Sequence, residues 1–392
     1  MISNIRRYAF LAGLLCCGAF EGQTQPMIER HEDTIDLRKG RIISDSFWLV
    51  RGGRRLDLSE YGPFVSLKAG RMLTVDSTSC LTSADGGKTW TRTPIFSDHA
   101  RFMVRPERAL IRTRKGTLIL AFANDRERSA FRWDRNTHDV RDAMLPTYVV
   151  RSEDEGRTWS TPVKLHDEWT GAIRDIIETK DGHVIFTSMM IRHDPGHHAV
   201  VTYTSADDGQ HWTRGQIVDL GGIGDHDGTI ESTLEERQDG SIYMLLRTNW
   251  GYFWETISGD RGLTWRSFRS TNIDASSSPG ILKRLSSGRW LLAWNRYYPQ
   301  GKNTYRLVGG DRNFSAFPVS LHREELSVMI SEDEGRTWSA PVVVAKTLKP
   351  RLQLSYPYLF EPDPGEIWLS FPFSNLRFSI REQTLLKMTK SR

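Results

Sequence analysis

Ser83-Ala84-Asp85-Gly86-Gly87-Lys88-Thr89-Trp90 reads as the pattern Ser-x-Asp-x-Gly-x-Thr-Trp, and this pattern occurs five times along the chain. The four later copies begin at Ser152, Ser205, Ser258 and Ser331. The third copy has a histidine where the others have the threonine. Five copies of one short pattern indicate an internal structural repeat, with each copy marking the same place in one repeating unit.

The residue types of this box predict a tight turn. Asp and Ser side chains form hydrogen bonds with nearby backbone N–H groups and hold a turn together. The Gly supplies a positive φ that other residues resist, and the Trp is a large apolar body that can pack between neighbouring units. Each box follows an apolar or alternating run, such as Thr147-Tyr148-Val149-Val150. The pattern therefore predicts a strand that runs into a hairpin turn.

The spacing of the boxes predicts an all-β, six-bladed β-propeller. The box aspartates are 69, 53, 53 and 73 residues apart, which suits a four-stranded antiparallel blade per repeat. Six apolar–turn–apolar hairpins can be read along the chain, starting near Val65, Ala109, Ile176, Leu234, Leu282 and Tyr358. We assign residues 26–392 to the propeller and expect the lead-in, 26–60, to contribute a strand that closes the ring. Two long segments, 123–146 and 296–323, interrupt the strand spacing and are expected to build a binding site.

Charge and the N-terminus limit the partners and the location. The net charge of the 392 residues is +5, but the basic residues are scattered, so no nucleic-acid partner is predicted. Arg6 and Arg7 precede an apolar run at 8–20 that is too short to span a membrane. This predicts a signal peptide in residues 1–25, hence a secreted or periplasmic protein without stable membrane insertion.

The cysteines add little to this prediction. Leu14-Leu15 before Cys16 lacks the small residues of a lipid-attachment site, so a lipid anchor is not expected. After cleavage only Cys80 remains, which excludes an internal disulfide.

With five boxes and six hairpins, the chain resembles the sialidase (neuraminidase) superfamily over residues 60–392. In that family the boxes lie away from the active site. The resemblance implies three arginines that bind the substrate carboxylate, a Tyr nucleophile assisted by a Glu, and an Asp acid/base. Arg matches a carboxylate with paired N–H donors, and a neutral Tyr avoids the repulsion that an anionic nucleophile meets beside that carboxylate.

Two pairs of residues match the family's phrases. Glu231 resembles the helper Glu, and Arg247, sixteen positions on, resembles the second carboxylate-binding Arg. Arg323, eight positions before the serine of the fifth box, stands where the third such Arg is found. Tyr356 precedes a Gly turn by nine positions, as the nucleophile does, with Tyr358 as the alternative.

The remaining two roles have alternatives. The family's Phe/Tyr-Arg-Ile-Pro phrase is replaced here by Arg105-Pro106, so the resemblance implies Arg105 as the first substrate-binding Arg, with Arg108 as the alternative. The Asp acid/base is expected in the loop after Phe122, and Asp139 or Asp142 is favoured. The loop's candidates are Asp125, Asp134, Asp139 and Asp142.

The resemblance implies a retaining exo-glycosidase that removes a terminal acidic sugar, sialic acid, from a glycan. No cofactor and no metal are expected, and the oligomeric state is left open. The His-rich segment 193–198 is expected to form an exposed rim that contacts sugar hydroxyls. Two alternatives remain: a propeller enzyme for a different sugar with a catalytic His (His138, His226 or His322), or a non-catalytic carbohydrate-binding propeller.

Overall fold

A computed structural model describes residues 39–390 of the protein. The predicted signal peptide lies outside these residues. The regular secondary structure of the described chain is almost entirely β-strand, as the box spacing predicts, with one α-helix, α1 (Glu382–Lys390), and short 3₁₀ turns at Lys68–Gly70 and Asp125–Glu127. No helix in this part of the chain has the length and apolar character needed to cross a membrane.

Within residues 39–390, five four-stranded antiparallel sheets and one six-stranded antiparallel sheet form the six predicted blades. Three strands precede them: β1 (Gly40–Ser44), β2 (Phe47–Val50) and β3 (Arg54–Arg55). Blade 1 contains β4 (Val65–Ser66), β5 (Met72–Val75), β6 (Ser79–Ser83) and β7 (Thr91–Pro94). Blade 2 and its inserted hairpin contain β8 (Ala109–Arg112), β9 (Leu118–Ala123), β10 (Trp133–Asp134), β11 (Asp139–Val140), β12 (Thr147–Ser152) and β13 (Val163–His166). Blade 3 contains β14 (Ile176–Glu178), β15 (Val184–Arg192), β16 (His197–Ser205) and β17 (Thr213–Val218).

The second half of the ring repeats this arrangement. Blade 4 contains β18 (Ser232–Glu236), β19 (Ile242–Leu246), β20 (Tyr252–Ser258) and β21 (Arg266–Asp274). Blade 5 and its inserted hairpin contain β22 (Ile281–Arg284), β23 (Trp290–Trp294), β24 (Leu307–Gly309), β25 (Pro318–Ser320), β26 (Glu325–Ser331) and β27 (Val342–Thr347). Blade 6 contains β28 (Tyr358–Phe360), β29 (Glu366–Ser370) and β30 (Arg377–Arg381), and takes β3 as its fourth strand.

The lead-in closes the ring, as expected from the sequence. Strand β3 pairs antiparallel with β30, with Arg54 opposite Ser379, so that the last blade is completed by the start of the chain. The apolar residues 47–50 form β2 and extend a different blade. Strand β2 pairs with β27 and, together with β1, extends blade 5 to six strands.

The hydrophobic core lies between adjacent blades, because each inner strand is buried on both faces. Strand β9 is the clearest case. Leu118, Leu120 and Phe122 pack towards blade 1, whereas Ile119 and Ala121 pack towards blade 3. Alternate side chains of a strand point to opposite faces, so a strand held between two blades must be apolar at every position. This explains why the blade strands read as continuous apolar runs in the sequence.

The five boxes form the predicted turns with nearly identical hydrogen bonds. In the second box, the Ser152 hydroxyl donates to Asp154 at 2.9 Å and accepts from the Gly156 N–H at 3.0 Å. Thr158 donates to Asp154 through its N–H at 2.9 Å and its hydroxyl at 2.6 Å. In the third box His211 replaces Thr and bonds the box Asp at 2.6 Å through Nδ1. The same capping role is thus filled by a different side chain.

The box glycine is required for two reasons. Gly156 has a φ of +86°, and a Cβ there would stand 2.6 Å from the Sγ of Cys80 in blade 1. A side chain at this position would therefore meet both an unfavourable backbone conformation and the neighbouring blade. Cys80 is a free, buried cysteine, and burial raises the pKa of its thiol to about 12.

The strand directions separate the boxes from the expected site. The boxes follow the third strand of a blade. Glu231 and Tyr356 lie one and two residues before first strands, and Arg247 directly follows a second strand. In an antiparallel blade, first strands begin where second strands end, and third strands end at the other side. We name the two ends the upper rim, with Glu231, and the lower rim, with the boxes. Both long inserted segments connect second to third strands, so they also lie on the upper rim.

Candidate active site

Tyr356 and Glu231 meet on the upper rim, although 125 residues separate them in the chain. The Tyr356 hydroxyl donates a 2.7 Å hydrogen bond to Glu231 Oε1. Glu231 is buried, whereas Tyr356 is only partly buried and packs edge-on against Phe373 at a ring distance of 5.3 Å. A phenol with a carboxylate at this distance can pass its proton directly to that carboxylate as the oxygen attacks an electrophile.

Arg247 and Arg323 converge beside this pair through one serine. Arg247 pairs with the other oxygen of Glu231 through Nη1 and donates to the Ser277 hydroxyl at 2.7 Å through Nη2. Arg323 donates to the backbone carbonyl of Ser277, also at 2.7 Å, and its guanidinium lies 5.7 Å from the centre of the Tyr356 ring. Two of the three arginines implied by the resemblance are therefore held together next to the phenol.

The local backbone fixes these side chains. Arg247 and Glu231 flank the paired strands β19 and β18, and the Arg247 N–H donates to the Glu231 carbonyl at 3.0 Å. Tyr356 has a φ of +58°, which is rare for a bulky residue and costs on the order of 1–3 kcal/mol. Such strained conformations cluster at functional sites, where the surrounding structure enforces them.

The charges of the cluster suit a proton transfer from Tyr356 to Glu231. Burial and the neighbouring carboxylate of Glu231 raise the pKa of Tyr356 to about 12, so the phenol is neutral in the resting site. Burial also acts to raise the pKa of Glu231. The charge of Arg247 and the hydrogen bond from Tyr356 outweigh that effect and hold this pKa below its ordinary value. Glu231 is therefore an ionised proton acceptor beside a protonated phenol.

Arg174, which the sequence analysis did not single out, is a third guanidinium at this point. It precedes β14 and is only 2% exposed. Its guanidinium lies 5.2 Å from the centre of the Tyr356 ring and 4.8 Å from that of Tyr358, and it donates to the Pro357 carbonyl at 2.8 Å. Within residues 39–390, its Nε and Nη1 have no hydrogen-bond partner. No motif marks Arg174 in the sequence, because its contacts with the tyrosines form only when the segments before blades 3 and 6 come together in the folded ring.

Arg105 and Arg108, the two candidates for the first substrate-binding Arg, differ in their surroundings. The Arg108 guanidinium is buried and donates to the Tyr61 hydroxyl and the Gly62 carbonyl, both at 2.9 Å, which ties two segments together. The Arg105 side chain is 16% exposed and pairs with Asp125 at 2.8 Å and with Glu107 at 3.4 Å. Arg105 is therefore the one of the two with access to a ligand. Within residues 39–390 its ion pairs are with Asp125 and Glu107, not with Glu231.

The hydroxyl of Tyr358, the alternative nucleophile, is occupied by backbone groups, whereas that of Tyr356 bonds Glu231. The Tyr358 hydroxyl lies 2.8 Å from the carbonyl of Pro106 and bonds the backbone N–H and carbonyl of Arg108 at 3.1 and 3.0 Å. These contacts join blade 6 to the segment before blade 2 and use the hydroxyl fully. Tyr358 thus holds the segment that contains Arg105 close to Tyr356.

Within residues 39–390, the favoured acid/base candidates Asp139 and Asp142 form no hydrogen bond or ion pair with the Tyr356 cluster. Asp139 is buried in the inserted hairpin and accepts from His193 at 2.9 Å and from the backbone of Val140 at 2.7 Å. Burial acts to raise the pKa of Asp139, but these donors outweigh it and lower the pKa. Asp142 is exposed, with a φ of +59°. Asp125 is the loop carboxylate that contacts a predicted substrate-binding residue, Arg105.

The expectation of an exposed His-rich rim holds for His193 and Asp194, which are exposed, and is wrong for His197 and His198. His197 and His198 are buried because strand β16 begins at His197, and burial lowers the pKa of His198 to about 4. His322 is also buried, and its Nδ1 lies 2.9 Å from the Arg296 carbonyl. In the described part of the chain, no group of three or more His, Cys, Asp or Glu side chains is arranged to hold a metal ion.

The fold and the upper-rim cluster define a sialidase-like propeller, and comparisons with known proteins give the same class. Residues 135–368, more than half of the chain, match the BNR repeat-like domain family. The protein therefore belongs to the BNR repeat-like domain family. A search of curated protein sequences finds no significant match.

Solved structures share the fold at low sequence identity. A protein of unknown function from Dyadobacter fermentans has a TM-score of 0.56 at 16% identity, over 84% of this chain and 98% of that chain. The NanB sialidase from Streptococcus pneumoniae has a TM-score of 0.53 at 12% identity, over 88% and 71% of the two chains. A Trypanosoma rangeli sialidase, in complex with 2,3-difluorosialic acid as a covalent intermediate, has a TM-score of 0.53 at 14% identity, over 88% and 60%. Likeness at such identities establishes the fold alone.

Proposed function

We propose that the protein is an exported retaining exo-glycosidase that removes a terminal acidic sugar, of the sialic acid type, from glycans. The observation that carries this proposal is the 2.7 Å contact between Tyr356 and Glu231 beside two arginines joined through Ser277. The sialidases among the structural neighbours support the same substrate class. Export rests on the sequence of residues 1–25.

The first step forms a bond between Tyr356 and the sugar. The Tyr356 oxygen attacks the anomeric carbon while its proton passes to Glu231, and the bond from that carbon to the leaving oxygen breaks. A neutral phenol suits this attack because the sugar carries a carboxylate on the same carbon, which repels an anionic nucleophile. Glu231 has to be ionised beforehand, and the charge of Arg247 keeps it so.

The arginines bind and orient the sugar through its carboxylate. Arg323 is partly exposed and lies beside the Tyr356 ring, so its guanidinium can reach a carboxylate held above that ring. Arg247 is already engaged by Glu231 and Ser277, and therefore contributes mainly positive charge and the placement of Glu231. Paired N–H donors of this kind match a carboxylate in geometry and charge. Arg105 completes this set in the proposal.

A carboxylic acid of the 125–142 loop protonates the leaving oxygen. Asp139 is poorly suited, since its donors hold it ionised inside the hairpin. Asp125 is better placed because it contacts Arg105 and its side chain is 19% exposed. A substrate carboxylate at Arg105 competes with Asp125 for the same guanidinium and frees Asp125 to face the leaving group.

The second step reverses the first with water. Water attacks the anomeric carbon and passes a proton to the loop carboxylate. The bond between the sugar and Tyr356 breaks, and Glu231 returns its proton to the phenol oxygen. Each residue ends in its starting state, and two displacements at one carbon retain its configuration.

A fluorogenic sialoside tests the proposal. Wild-type protein is expected to release the fluorophore, and Tyr356→Phe is expected to lose most of that activity with its fold intact. Tyr243→Phe is the matched control, because Tyr243 is a buried tyrosine that donates a 2.7 Å hydrogen bond to Glu255. Full activity of Tyr356→Phe would refute the assignment of the nucleophile, and an inactive wild type against all acidic glycosides would refute the function.

A further inference from the structure

A cleft beside the cluster has no role in the chemistry above. It is an open hollow of about 810 Å³ on the upper rim between blades 4 and 5. Its wall contains five aromatic side chains that the mechanism does not use, namely Trp250, Tyr252, Trp254, Tyr297 and Tyr298. Phe317, from the inserted segment of blade 5, also lines it and is 60% exposed. We name this hollow the aromatic cleft.

The aromatic cleft is lined by residues that lie next to the arginine cluster along the chain. Asn249, which lines it, stands two residues after Arg247, and Asp274, which also lines it, stands three residues before Ser277. The two walls are bonded together, since the Ala275 N–H donates to the Gly251 carbonyl at 2.9 Å. A glycan whose terminal sugar occupies the arginine cluster therefore has the cleft as a neighbour.

The charges of the cleft point to a neutral occupant. Its two charged side chains neutralise each other, because Arg296 Nε lies 3.0 and 3.2 Å from the two carboxylate oxygens of Asp274. The Tyr297 N–H donates to the same carboxylate at 3.0 Å, which fixes the loop that carries Tyr297 and Tyr298. No uncompensated cation is left for a second acidic sugar, in contrast to the cluster with Arg323 and Arg174.

Exposed aromatic rings in a charge-balanced cleft suit the faces of neutral sugars. A pyranose ring has an apolar C–H face that packs on an aromatic ring, and hydroxyl groups at its edge that bond amides and carboxylates. Tyr252 is 47% exposed, so its ring surface is open to such a partner. The volume lies within the range of ligand pockets in proteins.

We infer that the aromatic cleft binds the neutral sugars that follow the terminal acidic sugar of the substrate. This inference rests on the proposed function, and it makes the protein selective for oligosaccharides over simple glycosides. Removing one ring is expected to weaken binding of the sugar chain about tenfold, which corresponds to one aromatic contact of roughly 1.4 kcal/mol.

Kinetics with two substrates test the inference. For Tyr252→Ala and Phe317→Ala, KM for 3′-sialyllactose is expected to rise about tenfold, while KM for the fluorogenic sialoside, which lacks neutral sugars, stays unchanged. Ile42→Ala is the control, because Ile42 is also 60% exposed but lies on the outermost strand, β1. Equal changes for both substrates, or no change for either, would overturn the role of the cleft.

A binding measurement separates this inference from the proposed function. Lactose alone is expected to change the tryptophan fluorescence of wild-type protein, because Trp250 and Trp254 line the cleft. The same titration of Tyr252→Ala is expected to show weaker binding. If the protein hydrolyses no acidic glycoside but binds lactose in this way, the proposed hydrolase function is refuted and the sugar-binding role of the cleft is supported. If it hydrolyses sialosides but lactose has no effect at any concentration, the cleft assignment fails.

Discussion

Replacing Glu231 with glutamine tests the proton transfer at the centre of the proposed mechanism. Glutamine keeps the size of the side chain and an oxygen that can accept the bond from Tyr356. It cannot take up the proton, so the phenol has to lose its proton to another group or attack while still protonated. The fold offers a matched control in Glu255→Gln, since Glu255 also accepts a 2.7 Å bond from a buried tyrosine and pairs with an arginine.

The size of the effect follows from the pKa of the nucleophile. With the pKa of Tyr356 near 12, about one phenol in 10⁵ is ionised at pH 7, and each pKa unit corresponds to about 1.36 kcal/mol. Full ionisation of the phenol beside ionised Glu231 therefore costs roughly 7 kcal/mol, and the cost is smaller in Glu231→Gln because the carboxylate that raises this pKa is gone. A positioned base recovers part of that cost, and its removal lowers rates by about 10²–10⁴-fold, or roughly 3–5 kcal/mol. We expect kcat of Glu231→Gln to fall within that range.

The assay is steady-state hydrolysis of a fluorogenic sialoside, with circular dichroism at the assay temperature to verify folding. Glu231→Gln is also expected to lose stability, because the buried Arg247 loses its counter-charge. Glu255→Gln removes a tyrosine–carboxylate pair and an ion pair to the exposed Arg269, and it should retain wild-type kcat. The reasoning is refuted if a folded Glu231→Gln has a kcat within about threefold of the Glu255→Gln value, since proton transfer to Glu231 would then contribute little.

Three further outcomes are expected. Arg174→Gln should lower kcat more than Arg174→Lys at similar stability, because only the glutamine removes the positive charge beside the Tyr356 ring; equal kcat for both variants would exclude an electrostatic role. Asp333→Ala should lower the free energy of unfolding by about 1–2 kcal/mol through lost turn bonds and leave kcat unchanged, and a loss of kcat at unchanged stability would contradict the lower-rim placement of the box. The folded pKa of Glu231 lies below the ordinary 4.5, so its contribution to stability is present above that pH and disappears as the pH falls through the folded pKa. The free energy of unfolding of Glu231→Gln, measured with urea, should therefore depend less on pH in that acidic window. Identical pH profiles for the variant and the wild type would contradict the lowered pKa.

The sequence was sufficient for the architecture because the signals of a propeller are local. A box needs only a few adjacent residues, and its hydrogen bonds form within one turn, as Asp154 and Thr158 illustrate. The alternation of Leu118 and Ile119 between two cores likewise follows from the period of a strand. The added strands β1 and β2 on blade 5 were not predicted, because which edge a lead-in strand joins depends on the closed ring.

The proximity of some candidate residues could be predicted, because it depends on one local hairpin. Glu231 and Arg247 lie at the ends of one hairpin, so their spacing fixes their proximity. Arg174 contributes through contacts between blades that no local pattern records. The acid/base is the hardest case: the long loop of blade 2 folds into its own hairpin, which buries Asp139 and leaves Asp125 against Arg105.

Trapping the covalent intermediate tests the central claim most directly. A 2,3-difluorosialic acid, the compound found as a covalent intermediate with the Trypanosoma rangeli sialidase, is incubated with the wild-type protein, with Tyr356→Phe and with Tyr243→Phe, and the intact and digested proteins are analysed by mass spectrometry. We expect the addition of one fluorinated sugar to the wild type and to Tyr243→Phe, located on the peptide that contains Tyr356, and no addition to Tyr356→Phe. An adduct on another residue, such as Tyr358, or no adduct on a protein that hydrolyses sialosides, would contradict this expectation.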